Sequence, residues 1–120
     1  MELSVVVPTL NARDRLAACL DAVAEHAPDA EVIVVNGPSA DGTTGMVRER
    51  DDVAVLVELP DRQVTTARNA GIEYATGDAV AFVGHRNAIA PGWREALAAG
   101  LDAAAAVTGT LRRAISLPMT

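Results

Sequence analysis

The stretch "EVIVVNGPSADGT", residues 31–43, combines a strand, a loop and the start of a helix. Its residues 32–35 are all apolar, without the alternation of a strand that has one face in water. A continuous apolar run is typical of a strand buried on both faces, as in a parallel sheet covered by helices. The polar segment that follows predicts a loop and then a short helix over residues 43–51.

The same strand–helix unit recurs along the chain. Strands are predicted near residues 3–7, 31–35, 53–58 and 78–83, with a fifth at 105–111, while residues 112–120 give no firm signal. Helices are predicted between them over residues 12–27, 43–51 and 64–75, and again after Pro91. This alternation predicts an α/β fold in which a doubly wound, predominantly parallel sheet carries helices on both faces, within a single domain over residues 1–120.

Composition narrows the class of protein. The 120 residues carry a net charge of −6 at pH 7, which argues against a surface that attracts nucleic acid or anionic lipid. No apolar run is long enough to span a membrane, and no basic region precedes the first one, so a cytoplasmic location is expected. Cys19 is the single cysteine, which excludes an internal disulfide.

Polar stretches follow three of the predicted strands, and they read "PTLNAR", "NGPSADGT" and "GHRNAI". Ligands of doubly wound sheets bind beyond the carboxyl ends of the strands. We therefore expect one cleft there, surrounded by Pro8, Asn36, Arg68 and His85. Asn11 is expected to cap the first helix. Helices beginning near residues 12 and 43 should present unpaired backbone N–H groups to the cleft, which suits a diphosphate.

Five motifs follow one another in a fixed order: "SVVVPTLN", "EVIVV" leading to "S-x-DGT", "ARNAGIEYATGD", an apolar strand, and "APGWREAL". This order resembles the N-terminal half of a glycosyltransferase family 2 domain, which has the Rossmann-like GT-A fold. The resemblance covers roughly residues 3–110. It implies a transferase that binds a nucleotide diphosphate sugar as donor and passes the sugar to an acceptor that the sequence does not identify.

The resemblance also places the donor-binding residues of the family on this sequence, at Pro8, Thr9, Asn11, Asn36, Ser39, Asp41 and Arg68. For Asn11, Ser39 and Asp41, helix capping and turn formation explain the residue types equally well. Arg68 would be a solvated surface residue if it met no ligand, but a guanidinium group can clamp phosphate oxygens, and we favour that role.

Two departures from the family pattern concern charge. Where the family carries "DDGS", this chain has Asn36, Gly37, Pro38 and Ser39, and its metal-binding "D-x-D" would fall on Gly84, His85 and Arg86. Mg²⁺ and Mn²⁺ need oxygen ligands, so a family-type metal site is not expected, nor is any other cofactor. Arg86 joins the candidates because its guanidinium could take the electrostatic place of the metal, the alternative being an arginine that points into water.

Other interpretations stay open at this stage. The fold could be kept by a non-catalytic nucleotide- or partner-binding module, because both acidic motifs are lost. The chain could also be a fragment whose site is completed by a missing C-terminal half, by a second copy or by a partner subunit. No catalytic residue is assigned, and His85 alone does not justify one.

Overall fold

A computed structural model describes residues 2–60, 64–85, 89–108 and 113–116. In these ranges strands and helices alternate as predicted. The elements are β1 (Leu3–Thr9), α1 (Arg13–His26), β2 (Glu31–Asn36), α2 (Thr43–Arg48), β3 (Val55–Glu58), α3 (Val64–Tyr74), β4 (Ala79–Phe82), α4 (Trp93–Thr108) and β5 (Arg113–Ser116). None of the helices among these residues is both long and apolar enough to cross a lipid bilayer.

The strands form a sheet in the order β3-β2-β1-β4-β5, and each adjacent pair is parallel. From β1 the chain moves outward to β2 and β3, then returns past β1 to place β4 and β5 on the other side. The direction of winding therefore reverses between β1 and β4. In open α/β sheets the crevice at the carboxyl ends of two such strands is the usual ligand site.

Each face of the sheet has its own apolar core, which confirms helices on both faces. On β1, Val5 and Val7 pack in the cluster that includes Leu16 and Leu20 of α1. Val6 points to the opposite face, into the cluster that includes Ala67 of α3. This alternation along β1 shows that its continuous apolar run serves both layers.

The amino-terminal edge of the sheet is fixed by a polar network around Glu31. Its carboxylate accepts hydrogen bonds from the Ser4 hydroxyl at 2.8 Å, and from the backbone N–H and hydroxyl of Thr76 at 2.9 and 2.8 Å. Burial raises the pKa of Glu31, but these hydrogen bonds outweigh it and the net pKa is lowered. The Ser4 hydroxyl in turn accepts the N–H of Gly77 at 2.9 Å, so the turn into β4 is tied to β1 and β2.

The predicted fifth strand is wrong in position. Residues 105–108 continue α4, and the strand lies later, at Arg113–Ser116, within residues 112–120, where no element is predicted. The stretch is rich in alanine, the strongest helix former, and the helix accordingly runs on to Thr108. Residues 109–111 lie outside the described residues.

Candidate functional site

Two loops at the carboxyl edge of the sheet are joined by hydrogen bonds. We call residues 9–13 and 36–43 together the loop bracket. The N–H of Gly37 donates to the carbonyl of Thr9 at 2.9 Å, and the N–H of Asn11 donates to Ser39 Oγ at 2.8 Å. In the other direction, the N–H of Ala40 donates to Asn11 Oδ1 at 2.7 Å. Residues far apart in sequence thus form one rigid rim.

Asn11 does not cap α1, so that prediction is wrong. The N-cap is Ala12, which makes no side-chain capping bond. Asn11 instead has a φ of 46°, in the left-handed region that asparagine tolerates better than most residues. This conformation turns the chain out of β1, and the side chain bonds across to the second loop.

The Asp41 carboxylate lies between the starts of two helices. One oxygen accepts the N–H of Arg13 at 3.1 Å, and the other accepts the N–H of Thr43 at 3.2 Å and the Thr43 hydroxyl. These bonds, the Thr43 hydroxyl first among them, lower the pKa of Asp41. The backbone N–H groups of Arg13 and Thr43, expected to be unpaired and ready for a diphosphate, are therefore already engaged by a side chain.

Asn36 is buried at the end of β2 and both ends of its amide are used inside the protein. Nδ2 donates to Thr44 Oγ1 at 2.9 Å, and Oδ1 accepts from Ser39 Oγ at 2.7 Å. Beside it in the register, Thr9 is only 6% exposed, and its hydroxyl has no hydrogen-bond partner in the part of the chain that the structure describes. Asn36 thus holds the second loop of the loop bracket through Ser39 and Thr44.

The segment after β4 is held against β1 and α1. His85 Nδ1 lies 3.4 Å from the carbonyl oxygen of Pro8, which can only accept, so the contact is a hydrogen bond when Nδ1 carries the proton. The buried Cys19 thiol donates to the Gly84 carbonyl at 3.7 Å, and burial raises its pKa to about 11. Cys19 is therefore a core packing residue, as its sequence context suggests, and its thiol also bonds the segment after β4.

Arg68 lies on the other face of the sheet from the Asn36 side chain. Its guanidinium carbon is 5.5 Å from the centre of the Phe82 ring, a cation–π distance, and Phe82 packs in the α3 core cluster. Asn36 is directed to α2 through Thr44. The structure brings Pro8 and His85 together but leaves the sheet between Asn36 and Arg68. The predicted single cleft surrounded by all four residues is therefore wrong, because α2 and α3 pack on opposite faces of the sheet.

An open cleft of about 530 Å³ lies where the winding of the sheet reverses, between the start of α1 and the segment after β4. Of the predicted site residues, Asn11, Asp41 and His85 line it. Sequence reasoning did not nominate Arg13 and Arg15, although Arg13 ends the quoted "PTLNAR". The full lining is Leu10, Asn11, Ala12, Arg13, Asp14, Arg15, Asp41 and His85. Arg86 lies outside the described residues.

The described residues do not make up a divalent-ion site of the family type. Across the ranges given above, no three His, Cys, Asp or Glu side chains converge closely enough to hold a metal ion. His85 and Asp41 share the cleft, but both Asp41 oxygens already accept hydrogen bonds. A pair of free carboxylates, which Mg²⁺ and Mn²⁺ prefer, is not formed by these residues.

Comparisons with known proteins give a consistent family. The family model described as "Glycosyl transferase family 2" matches residues 4–118. Curated relatives include Glycosyltransferase AglE of Haloferax volcanii, 34% identical over 88 residues, and the uncharacterized glycosyltransferase YibD of Escherichia coli, 32% identical over 100 residues. The matches cover 68% and 80% of this chain but only 29% of each relative.

Solved structures agree on the fold. Staphylococcus aureus TarS superimposes with a TM-score of 0.75 at 27% identity, over 86% of this chain and 20% of that protein. The mannosyltransferase PcManGT of Pyrobaculum calidifontis, solved with GDP-Man and Mn²⁺, gives a TM-score of 0.65 at 32% identity, over 71% of this chain and 27% of its own. These neighbours confirm the GT-A fold expected from the sequence motifs.

Proposed function

The chain belongs to glycosyl transferase family 2, and from that premise we propose that it binds a nucleotide-sugar donor at the carboxyl edge of its sheet for transfer of the sugar to an acceptor. The observation that carries the proposal is the position of the cleft. It lies at the reversal point of the sheet and shares Asn11 and Asp41 with the loop bracket. Its volume of about 530 Å³ suits a ligand the size of a nucleotide.

We assign the donor-binding residues three different tasks. Pro8, Thr9, Asn11, Ser39 and Asp41 shape the rim. Asn11 bonds Ser39, Thr9 accepts the N–H of Gly37, and Asp41 bonds the starts of both helices, so the loops are set before any ligand arrives. Asn36 supports that rim through Ser39 and Thr44. Such preorganisation lowers the entropic cost of binding. Arg68 and Arg86 would then supply positive charge to the phosphates from the α3 side and from the segment after β4.

Whether the donor is bound with a divalent ion is a separate question. The PcManGT complex contains GDP-Man together with Mn²⁺, so that similarity supports a nucleotide-sugar donor and gives no support to the expectation of a metal-free site. In this chain the case for metal-free binding rests on Gly84, His85 and Arg86 in place of the acidic motif. We propose that Arg86 takes over the charge of the ion.

A non-catalytic nucleotide-binding module is the second candidate. The specific observation in its favour is Asn36, which stands where the family pattern has an acidic residue and spends both ends of its amide on protein partners. This candidate predicts nucleotide binding without sugar transfer. Hydrolysis of UDP- and GDP-sugars in the presence of the chain, with water accepting the sugar and the nucleoside diphosphate leaving, separates the two.

Calorimetric titration with UDP, GDP and TDP, each with and without Mn²⁺, tests the proposal. At least one nucleotide should bind, and Ser39→Ala should weaken it, because this change removes a hydroxyl that joins both loops. Thr76→Ala is the matched control, since it removes a comparable hydroxyl at the amino edge. The proposal fails if no nucleotide binds at millimolar concentration, or if the two variants weaken binding equally.

A further inference from the structure

Two arginines line the cleft, and neither guanidinium group has a partner among the residues that the structure describes. The other arginines whose side chains the structure describes are engaged: Arg48 with Glu58 at 3.3 Å, Arg50 with Asp21 and Asp52 at 2.8 and 2.7 Å, Arg94 with Asp29 at 3.1 Å, and Arg68 over Phe82. The guanidinium groups of Arg13 and Arg15 make no hydrogen bond or ion pair with the described residues. Two cations are thus left for a ligand.

Stability does not explain where these arginines lie. They occupy the first and third positions of α1, a helix of 14 residues. The amino-terminal end of a helix carries partial positive charge, so cations there are unfavourable and carboxylates are favoured. The N–H of Arg13 is already bonded to Asp41, so this backbone group is not a free donor. Asp14 in the same turn and Asp41 at the start of the helix offset part of this charge, but both exposed arginines still face the cleft, and a local rule broken in this way is a pointer to function.

We propose that Arg13 and Arg15 bind a phosphate group of the ligand in this cleft. The identity of the ligand rests on the proposed function, whereas the presence of two arginines in the cleft does not. His85 lines the same cleft. Asp14 and Asp41 also line the cleft, but Asp41 is turned to the helix starts. The phosphate can come from the donor diphosphate or from a phosphorylated acceptor, which have the same chemistry.

The test compares the unmodified chain with Arg13→Gln/Arg15→Gln by calorimetry. The ligands are UDP and GDP, their nucleosides uridine and guanosine, inorganic pyrophosphate, and glucose 1-phosphate. Loss of two charge-assisted contacts should weaken a bound phosphate ligand at least about tenfold and leave nucleoside binding unchanged. Arg48→Gln, on α2 and outside the cleft lining, is the control. Asp14→Asn should strengthen phosphate binding, because it removes a nearby negative charge.

A merely structural role for the arginines predicts a different result. The double variant would then unfold at a lower temperature, whereas our account predicts an equal or higher one, since two cations leave the positive end of α1. If the double variant binds UDP and GDP more weakly, the bound phosphate belongs to the donor diphosphate. If it binds glucose 1-phosphate more weakly but nucleotides equally well, the phosphate belongs to an acceptor.

The inference and the proposed function fail separately. The inference is overturned if no phosphate ligand binds, or if the double variant binds all of them as Arg48→Gln does. If nucleotides bind and the binding of no ligand depends on the two arginines, the proposed function stands without the inference. Arginine-dependent binding of glucose 1-phosphate or pyrophosphate with no nucleotide binding would support the inference and overturn the proposed function.

Discussion

Single side chains at the carboxyl edge connect elements that are distant in sequence. Asp41 bonds the first N–H of α1, on Arg13, and also the start of α2 at Thr43. Carboxylates are favourable at both positions because the starts of helices carry partial positive charge. One residue thereby stabilises two helices and keeps the loops after β1 and β2 in register.

Asp41→Asn tests this role through pH. Because the folded state lowers the pKa of Asp41, its charge stabilises the fold above the ordinary aspartate pKa of about 3.9, and that stability is lost as pH falls below it. At pH 7 the variant should unfold at a lower urea concentration than the unmodified chain, and the gap should close in acid. Glu49→Gln, an exposed carboxylate outside this network, is the control. Parallel pH profiles for Asp41→Asn and the unmodified chain would contradict the role.

Arg86 carries the prediction about the missing acidic motif. If its guanidinium replaces the charge of a metal ion, nucleotide diphosphate binding should be insensitive to EDTA and should weaken as salt rises. Arg86→Ala should cost about 1.5–3 kcal/mol of binding free energy, the range for hydrogen bonds to charged groups. Arg86→Lys, which keeps the positive charge, should lose less binding free energy than Arg86→Ala, and Arg86→Asp should lose more. Binding that occurs only with Mn²⁺ present would show that this replacement is wrong.

At the scale of elements, the close packing of α3 on β1 depends on Gly71. A methyl group at this position would lie 2.3 Å from Val6 Cγ1, far inside van der Waals contact. Gly71→Ala should therefore destabilise the fold by about 1–3 kcal/mol, as overpacking of a core does. The penalty should shrink in a Val6→Ala background, where space is opened. Urea denaturation of the single and double variants measures this coupling.

Gly45→Ala is the matched control, since Gly45 lies inside α2 with no atom within 4 Å of an added methyl group. Alanine is the better helix former, so this change should stabilise the protein by about 0.5–1 kcal/mol. Equal effects at Gly45 and Gly71 would mean that α3 does not pack on Val6 as described.

Elements with strong local signals could be predicted from the sequence. The strands β1 to β4 and the three helices between them lie close to where apolar runs and helical periodicity place them, with small shifts such as the start of β3 at Val55. The fifth strand could not be placed, because alanine-rich residues 103–106 extend α4 and no apolar run marks residues 113–116. The hydrogen bonds of Asp41 and Asn11 cross 28 and 29 residues, so no local pattern encodes them.

At the scale of the whole molecule, the topology of the sheet decides where positively charged side chains come together to meet a ligand. The chain carries a net charge of −6, which disfavours anionic ligands over most of its surface. Between β1 and β4, however, the fold gathers His85, Arg13 and Arg15 around one cleft. An acidic protein can thus present a local site for a nucleotide diphosphate. Because the chain spans about 29% of the two curated relatives, the acceptor is left to experiment.

The most direct test of donor binding at the carboxyl edge is a series of amide proton–nitrogen NMR spectra recorded while GDP, UDP or TDP is added, with and without Mg²⁺. The account predicts shifts concentrated on the loop bracket, residues 9–13 and 36–43, and on Gly84 and His85. The amide signals of Glu2 and residues 76–78, at the amino edge of the sheet, should not shift. Absence of any shift at millimolar nucleotide, or shifts centred on the amino edge, would contradict the account.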